Sequence, residues 1–236
     1  GGANAAIAGE WGWAYKNEVE TFGISLSKEM FDISWGMDIV YRQDAGLNPN
    51  FTAGIAGRPG TTPADYGYDD DDYPGATGDI WGVVVNGLGF LNGDWGLWDG
   101  GTWIVEYTTS WLDDYSDANF GGTDEDSEQV ANVLIHKNRA TSQIAAVFRP
   151  TWYQVFPGWD MTVPASISYG IDGEQPPQGS VVHEELGNGN VGLEFLQNEQ
   201  WRYELKYNFY FGPTANGTTG PLNDRDNISF TVKRTW

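Results

Sequence analysis

Apolar and polar residues alternate with a period of two along most of this chain. The cleanest run is Trp201 to Phe211. There Trp201, Tyr203, Leu205, Tyr207, Phe209 and Phe211 share one parity, and Arg202, Glu204, Lys206, Asn208 and Tyr210 share the other. Successive side chains of a strand point to opposite faces, so the run predicts a strand with one greasy face and one polar face. The same alternation passes through Ile33–Tyr41, Trp103–Trp111, Met161–Tyr169 and Ile228–Trp236, where Arg234 interrupts the apolar parity of the last run. No segment sustains apolar residues at helical spacing, and glycines are scattered throughout. About ten strands are predicted, at 5–16, 18–27, 32–43, 78–91, 101–113, 141–151, 159–171, 188–197, 201–212 and 226–236.

The connections alternate in length. Short turns are expected at 28–31, 92–100, 152–158 and 198–200, and long polar loops at 44–77, 114–140, 172–187 and 213–225. Only the first connection, near Asn17, is short where a long one is due. Alternating lengths place the long loops at one end of an up-and-down antiparallel sheet, as in outer-membrane barrels. The expected fold is therefore all-β, an up-and-down antiparallel transmembrane β-barrel forming a single domain over 1–236. Its roughly ten strands either close on themselves or form part of a larger barrel. The first residues, Gly1-Gly2-Ala3, are read as the start of a mature form or of a piece of a longer protein.

Composition sharpens this picture. Aromatic residues make up 15% of the chain, including 12 Trp. They recur towards strand ends on the apolar parity: Trp35 and Tyr41, Trp103 and Trp111, Trp201 and Phe211, and Trp236. A packed soluble core favours Val, Ile and Leu, whereas amphipathic rings at strand ends suit the two girdles of a membrane barrel. The alternative is a large aromatic core or a sugar-binding cleft. The polar parity carries mixed charge, at Asp38, Arg42, Glu106, Arg149, Glu194, Arg202, Glu204, Lys206 and Lys233. These are the candidate lumen-facing residues.

The net charge is −21, and it is unevenly placed. The spans 44–77, 113–128, 172–187 and 213–226 hold 19 of the acids, with Arg58 and Arg225 as their only bases. The acidity therefore belongs to one end of the molecule. A chain this acidic does not bind nucleic acid through phosphates. With no Cys, disulfides and thiolate metal sites are excluded. No apolar run is long enough for a membrane-spanning helix.

Candidate chemistry is sparse. Asp69, Asp70, Asp71 and Asp72 are four adjacent carboxylates, which repel unless a cation screens them. They are the candidate ligands for Ca2+ or another divalent cation, although the spacing is not that of an EF-hand. No other cofactor is expected. Divalent cations also bridge lipopolysaccharide, so acidic loops beside it would share those ions. His136 and His183 have no Ser or Asp spacing that singles out a triad, so no enzymatic activity is expected. Glu106, Glu194 and Glu204 on a Trp-rich sheet would also fit a soluble jelly-roll carbohydrate-active protein. Neither the one-ended loops nor the aromatic C-terminal strand is explained by that alternative. Asn223-Asp224-Arg225-Asp226, before the last strand, reads as a local salt-bridged turn.

Three segments carry a family resemblance: Ser27–Arg42 (SKEMFDISWGMDIVYR), Phe148–Asp160 (FRPTWYQVFPGWD) and Leu222–Phe230 (LNDRDNISF). Together they resemble the C-terminal half of a proteobacterial outer-membrane β-barrel family catalogued as a domain of unknown function. The likeness runs from about residue 18 to the end, and Asn223–Asp226 is its most specific element. Members of that family are longer at the N-terminus and have no established catalytic residues. They are often encoded beside LolB-like periplasmic proteins and RND-type exporters. The resemblance therefore implies an outer-membrane channel, or the outer-membrane component of transport of hydrophobic or lipid-like compounds. Its implied partners are outer-membrane lipid, lipopolysaccharide and a periplasmic lipid carrier or exporter. A structural or adhesive barrel with a filled lumen is the remaining membrane alternative.

Overall fold

The computed structural model of the chain describes residues 17–47, 77–116, 139–173, 183–213 and 222–235. These form β1 (Glu20–Met30), β2 (Ile33–Gly46), β3 (Thr77–Asn92), β4 (Gly100–Ser116), β5 (Ala140–Phe156), β6 (Trp159–Thr162), β7 (Ala165–Asp172), β8 (Gly187–Gln197), β9 (Trp201–Phe211) and β10 (Asn227–Arg234). All ten belong to one sheet, and each neighbouring pair is antiparallel. Only a 3-10 turn at Gly93–Trp95 departs from strand among the elements described. The fold is therefore all-β and up-and-down, as the alternation predicts.

Two expectations are refined. The strand expected at 159–171 is split, because Pro164 has no N–H to give to the ladder. β6 and β7 both pair with β5 and β8, so together they act as one broken stave. The break is bridged by Val163 N–H donating to Pro150 O at 3.1 Å and Gly192 N–H donating to Pro164 O at 2.8 Å. The strand expected to end at 151 instead runs on to Phe156. Trp152 pairs with Met161 and Phe156 with Trp159, while Gln154 takes up the irregularity at φ 51°. The expected strand 5–16 lies outside the described residues.

The connections alternate in length as expected. Residues 31–32, 93–99, 157–158 and 198–200 link strands at one end, and the segments between β2 and β3, β4 and β5, β7 and β8, and β9 and β10 link them at the other. Short turns need donors or acceptors close at hand. Asp160 accepts from Gln154 N–H at 2.8 Å, and Gly158 N–H donates to the Gln154 side chain at 3.0 Å. Asp99 accepts from Tyr153 N–H at 2.8 Å, which ties two neighbouring short connections together.

Register shows which residues share a face. Cross-strand partners lie on the same side of a sheet. One face carries Ile24, Ile39, Val83, Thr109 and their neighbours of like parity, and the other carries Ser25, Asp38, Val84, Thr108 and Gln143. The apolar face is the exposed one. Ile24 is 64% exposed, Leu205 50%, Ile228 71% and Phe230 66%. On the polar face Glu194 is 7% exposed, and Glu204 and Lys206 are half-buried. The shielding of Glu194 marks the charged parity as the inner face and the greasy parity as the outer one, although Phe90 on the inner face of β3 is 75% exposed. This inverts the soluble arrangement, in which the apolar face is the packed one.

Buried large apolar side chains are few among the described residues. Leu186 is buried just ahead of β8, and Ala45, Leu47, Ile80 and Leu112 are buried at the long-loop end of β2, β3 and β4. A bulge between Arg42 and Ala45 re-aims the end of β2 there. Asp79 braces it, accepting from Tyr41 O–H at 2.7 Å and Asp44 N–H at 2.8 Å. No large side chain is fully buried among the described residues.

β1 and β10 are the edges of the described sheet, and no pairing joins them. Counting β6 and β7 as one, the sheet has nine antiparallel staves including its two edges, so β1 and β10 run in the same direction. Antiparallel closure of such a sheet requires an odd number of further staves.

Candidate functional site

The inner wall gathers the charged side chains. All nine residues expected to face a lumen fall on this one face. Asp38 pairs with Val84, Glu106 with Asn86 and Ala145, and Arg149 with Thr102. Arg42 shares the parity of Asp38 on β2 and pairs with Ile80. Glu194 pairs with Thr162 and Glu204, Arg202 with Lys233, and Lys206 with Ser229. The wall brings some of them together and leaves others apart.

Arg149, Glu194, Arg202, Glu204 and Lys206 form an ionic cluster. Arg149 Nη2 lies 3.4 Å from Glu194 Oε2, and Arg202 Nε lies 3.5 Å from Glu194 Oε1. Lys206 Nζ lies 2.8 Å from Glu204 Oε1. Glu194 and Glu204 are direct cross-strand partners. Two carboxylates in that position repel, and the surrounding cations offset this. Lys233 adds a further cation opposite Arg202. Asp38, Arg42 and Glu106 lie on strands away from this cluster.

Next to the cluster runs a neutral polar row. Ser166, Asn190, Asn208 and Asn227 are successive partners across β7, β8, β9 and β10. Asn190 Nδ2 donates to Ser166 Oγ at 2.6 Å, and Asn208 Nδ2 donates to Asn227 Oδ1 at 2.9 Å. The same row continues into Val147, Ile104 and Leu88 across β5, β4 and β3. The inner wall is therefore charged and amide-rich on β5–β10, and on β3–β5 one apolar row, Leu88–Ile104–Val147, runs between polar positions, with Asn86 and Glu106 on one side and Thr102 and Arg149 on the other. On β3 the apolar side chain was hidden from sequence alternation, because the Ile80–Leu91 run is apolar on both parities.

The outer face carries its rings in two belts. At the short-turn end Trp159 stacks on Tyr203 at 5.7 Å and meets Phe195 edge-on at 6.2 Å, and Trp201 stacks on Tyr203 at 6.3 Å. Trp35 and Trp103 stand at the same end, on β2 and β4. Arg234, which broke the apolar parity, lies 5.1 Å from the Trp201 ring and makes a cation–π contact. At the long-loop end Trp81 stacks on Trp111 at 5.9 Å and meets Tyr41 in a tilted contact at 4.7 Å. Tyr169, Phe209 and Phe211 continue that belt. Trp236 lies outside the described residues. Between the belts stand Ile24, Leu26, Met37, Ile39, Val83, Val85, Val105, Ile167, Val191 and Leu205.

The remaining candidates are less informative. Asp69, Asp70, Asp71 and Asp72 and His136 lie outside the described residues. Among the described residues no group of three His, Cys, Asp or Glu side chains is placed to hold a metal ion. His183 is buried beside the turn that leads into β8, and Leu186 N–H donates to its carbonyl at 3.1 Å. In the Asn223–Asp226 turn the latch is Asp226 and not Arg225. Asp226 accepts from Tyr207 O–H and from Tyr210 N–H, while Arg225 sits 3.9 Å from Asp224 at the surface. Asn223 adds a bond from its side chain to Gly212 O.

No curated protein and no solved structure matches the chain. A family model does, and it begins ahead of residue 18, where the segment-by-segment resemblance began. Matched over residues 3–236, the chain belongs to the family described as "Protein of unknown function (DUF1302)".

Proposed function

We propose that this chain forms the wall, or part of the wall, of a bacterial outer-membrane β-barrel. Its role is that of a channel, or of the outer-membrane component of a route for hydrophobic or lipid-like compounds. The observation that carries this reading is the inverted sheet: the apolar parity is exposed and the charged parity is turned inwards. An exposed Leu, Ile or Phe side chain forgoes roughly 1.5–3 kcal/mol relative to full burial. A continuous outward face of them is far larger than the patch a soluble monomer tolerates. Hydrocarbon relieves that cost, and the two belts of rings match the interfacial girdles of membrane barrels. The soluble jelly-roll alternative requires the apolar face to be the packed one, and here it is the exposed one.

The cargo class rests on the family resemblance, as do the partners, a periplasmic lipid carrier or exporter. The long connections gather at one end; in the proposed barrel that end faces the outer leaflet and its lipopolysaccharide, and the short turns face the periplasm, as in known outer-membrane barrels. The test is direct. The folded protein should take up detergent and migrate faster in SDS before boiling than after it. In planar bilayers it should carry current. A detergent-independent, water-soluble monomer contradicts the membrane reading. A heat-shifting protein that passes no current at any voltage favours the filled-lumen structural barrel.

A further inference from the structure

We infer that the inner wall binds an anionic amphiphile, with its carboxylate head on the cations of β5, β9 and β10 and its apolar chain along β3–β5. This rests on the barrel reading and names the ligand class of its lumen.

The first support is charge. Among the described residues Arg149, Arg202, Lys206 and Lys233 share this part of the wall with three carboxylates, Glu194, Glu204 and Asp160, and Asp160 is engaged by the Gln154 N–H. Glu194 holds Arg149 and Arg202, and Glu204 holds Lys206. Arg202 and Lys233 face each other across β9 and β10. Like charges directly opposite destabilise a sheet, and an anion between them removes that cost. Guanidinium and ammonium groups together suit a carboxylate, because Arg offers paired donors.

The second support is an apolar row on the same wall, bordered by Glu106 on one side and by Arg149 on the other. Leu88, Ile104 and Val147 are successive cross-strand partners, and Ile104 is 37% exposed. Phe90, on the same face of β3, is 75% exposed. Val147 and Arg149 share a face of β5 and are two residues apart, about 7 Å along a strand. Arg149 thus stands between the apolar row and the cations of β9 and β10. A lumen that passed only water and small ions would have no use for an unbroken apolar row across three strands. A purely hydrophobic cargo would find no partner among the cations.

The experiment uses the full chain, refolded in detergent and reconstituted into zwitterionic lipid vesicles. A long-chain carboxylate bearing a diazirine in its tail (a photoreactive hexadecanoate) is added and irradiated, and labelled residues are mapped. The expected result is labelling of inner-wall residues such as Leu88, Ile104 and Val147, alongside lipid-facing residues such as Val83 and Val105. Unlabelled hexadecanoate should compete for the inner sites, and hexadecanol should not. Lys233→Gln leaves every ion pair of Glu194 and Glu204 intact and should still weaken inner labelling. With Arg202→Gln added, inner labelling should fall about tenfold, the loss of a charge-assisted contact. Outer labelling should not change, and the heat shift in SDS checks that each variant folds. Labelling confined to the outer face overturns the inference and leaves the barrel reading standing. Equal inner labelling by the photoreactive alcohol, or by the double variant, also overturns it. No labelling on either face overturns both.

Discussion

At the level of single residues, the outer face depends on glycines that make room for rings. Trp103 and Gly89 are cross-strand partners, and a Cβ on Gly89 would meet the indole Cε2 at 2.5 Å. Trp35 covers Gly87 in the same way, with a Cβ there meeting Cζ3 at 3.1 Å. A large ring laid over a bare backbone covers main chain that a glycine leaves open. Gly89→Val should lift the Trp103 ring and destabilise the sheet by about 1–3 kcal/mol, the cost of overpacking. Gly82→Ala should be near neutral, because nothing lies within 4 Å of its Cβ position. Urea midpoints of the detergent-folded variants check the pair. Inside the wall, Glu194→Gln removes the common partner of two guanidinium groups. We expect a loss of about 1.5–3 kcal/mol, as for hydrogen bonds to charged groups. It stays below the ~3–5 kcal/mol of a fully buried pair, because Arg149 and Arg202 are 39% and 47% exposed.

At the level of elements, the sequence located most strands to within a few residues, because period-two alternation is a strong local signal. It placed β9 and its two faces correctly residue by residue. It missed what depends on partners elsewhere in the sheet. The break at Pro164 arises because the stave pairs on both sides, with β5 and β8, and proline has no N–H for the ladder, while the extension of β5 to Phe156 depends on Trp159 across the turn. The ionic cluster was legible only as a set of inward charges. Which of them meet is set by register, and register is not written in alternation. The Asn223–Asp226 turn reads from sequence as a local salt-bridged turn, and Arg225 does lie 3.9 Å from Asp224, but that exposed pair is not what fixes the turn. Asp226 instead holds Tyr207 and Tyr210 on β9, so it pins the start of β10. Asp226→Ala should free the Tyr210 amide and loosen this edge by about 1–3 kcal/mol, the cost of unsatisfied partners. Hydrogen exchange should then quicken at Tyr210 and leave the β3–β4 ladder unaffected.

At the level of the whole molecule, two numbers change their meaning once placed. A net charge of −21 and 12 Trp suggest an acidic soluble protein with an aromatic core. The sheet instead carries its rings outside, with a near-balanced set of charges on its inner face. Few large apolar side chains are buried among the described residues, so the ladder of strand pairs carries much of the stability. The proposed membrane barrel would add an apolar surrounding for the outer face. Unpaired strand edges are not tolerated in hydrocarbon. β1 and β10 run in the same direction, so the closed form requires an odd number of staves beyond those described. A cross-link between engineered cysteines on β1 and β10 should therefore fail to form in the folded barrel.

The central claim is that the apolar parity faces lipid and the charged parity faces a polar interior. The chain has no Cys, so single cysteines can be introduced without interference. A nitroxide placed at each position from Tyr203 to Phe209 in vesicle-inserted protein reads this claim directly, by its accessibility to oxygen and to a water-soluble nickel chelate. The account predicts a period of two: oxygen access at 203, 205, 207 and 209, and lower oxygen access at 204, 206 and 208. Nickel access at 203, 205, 207 and 209, or no alternation at all, would contradict it.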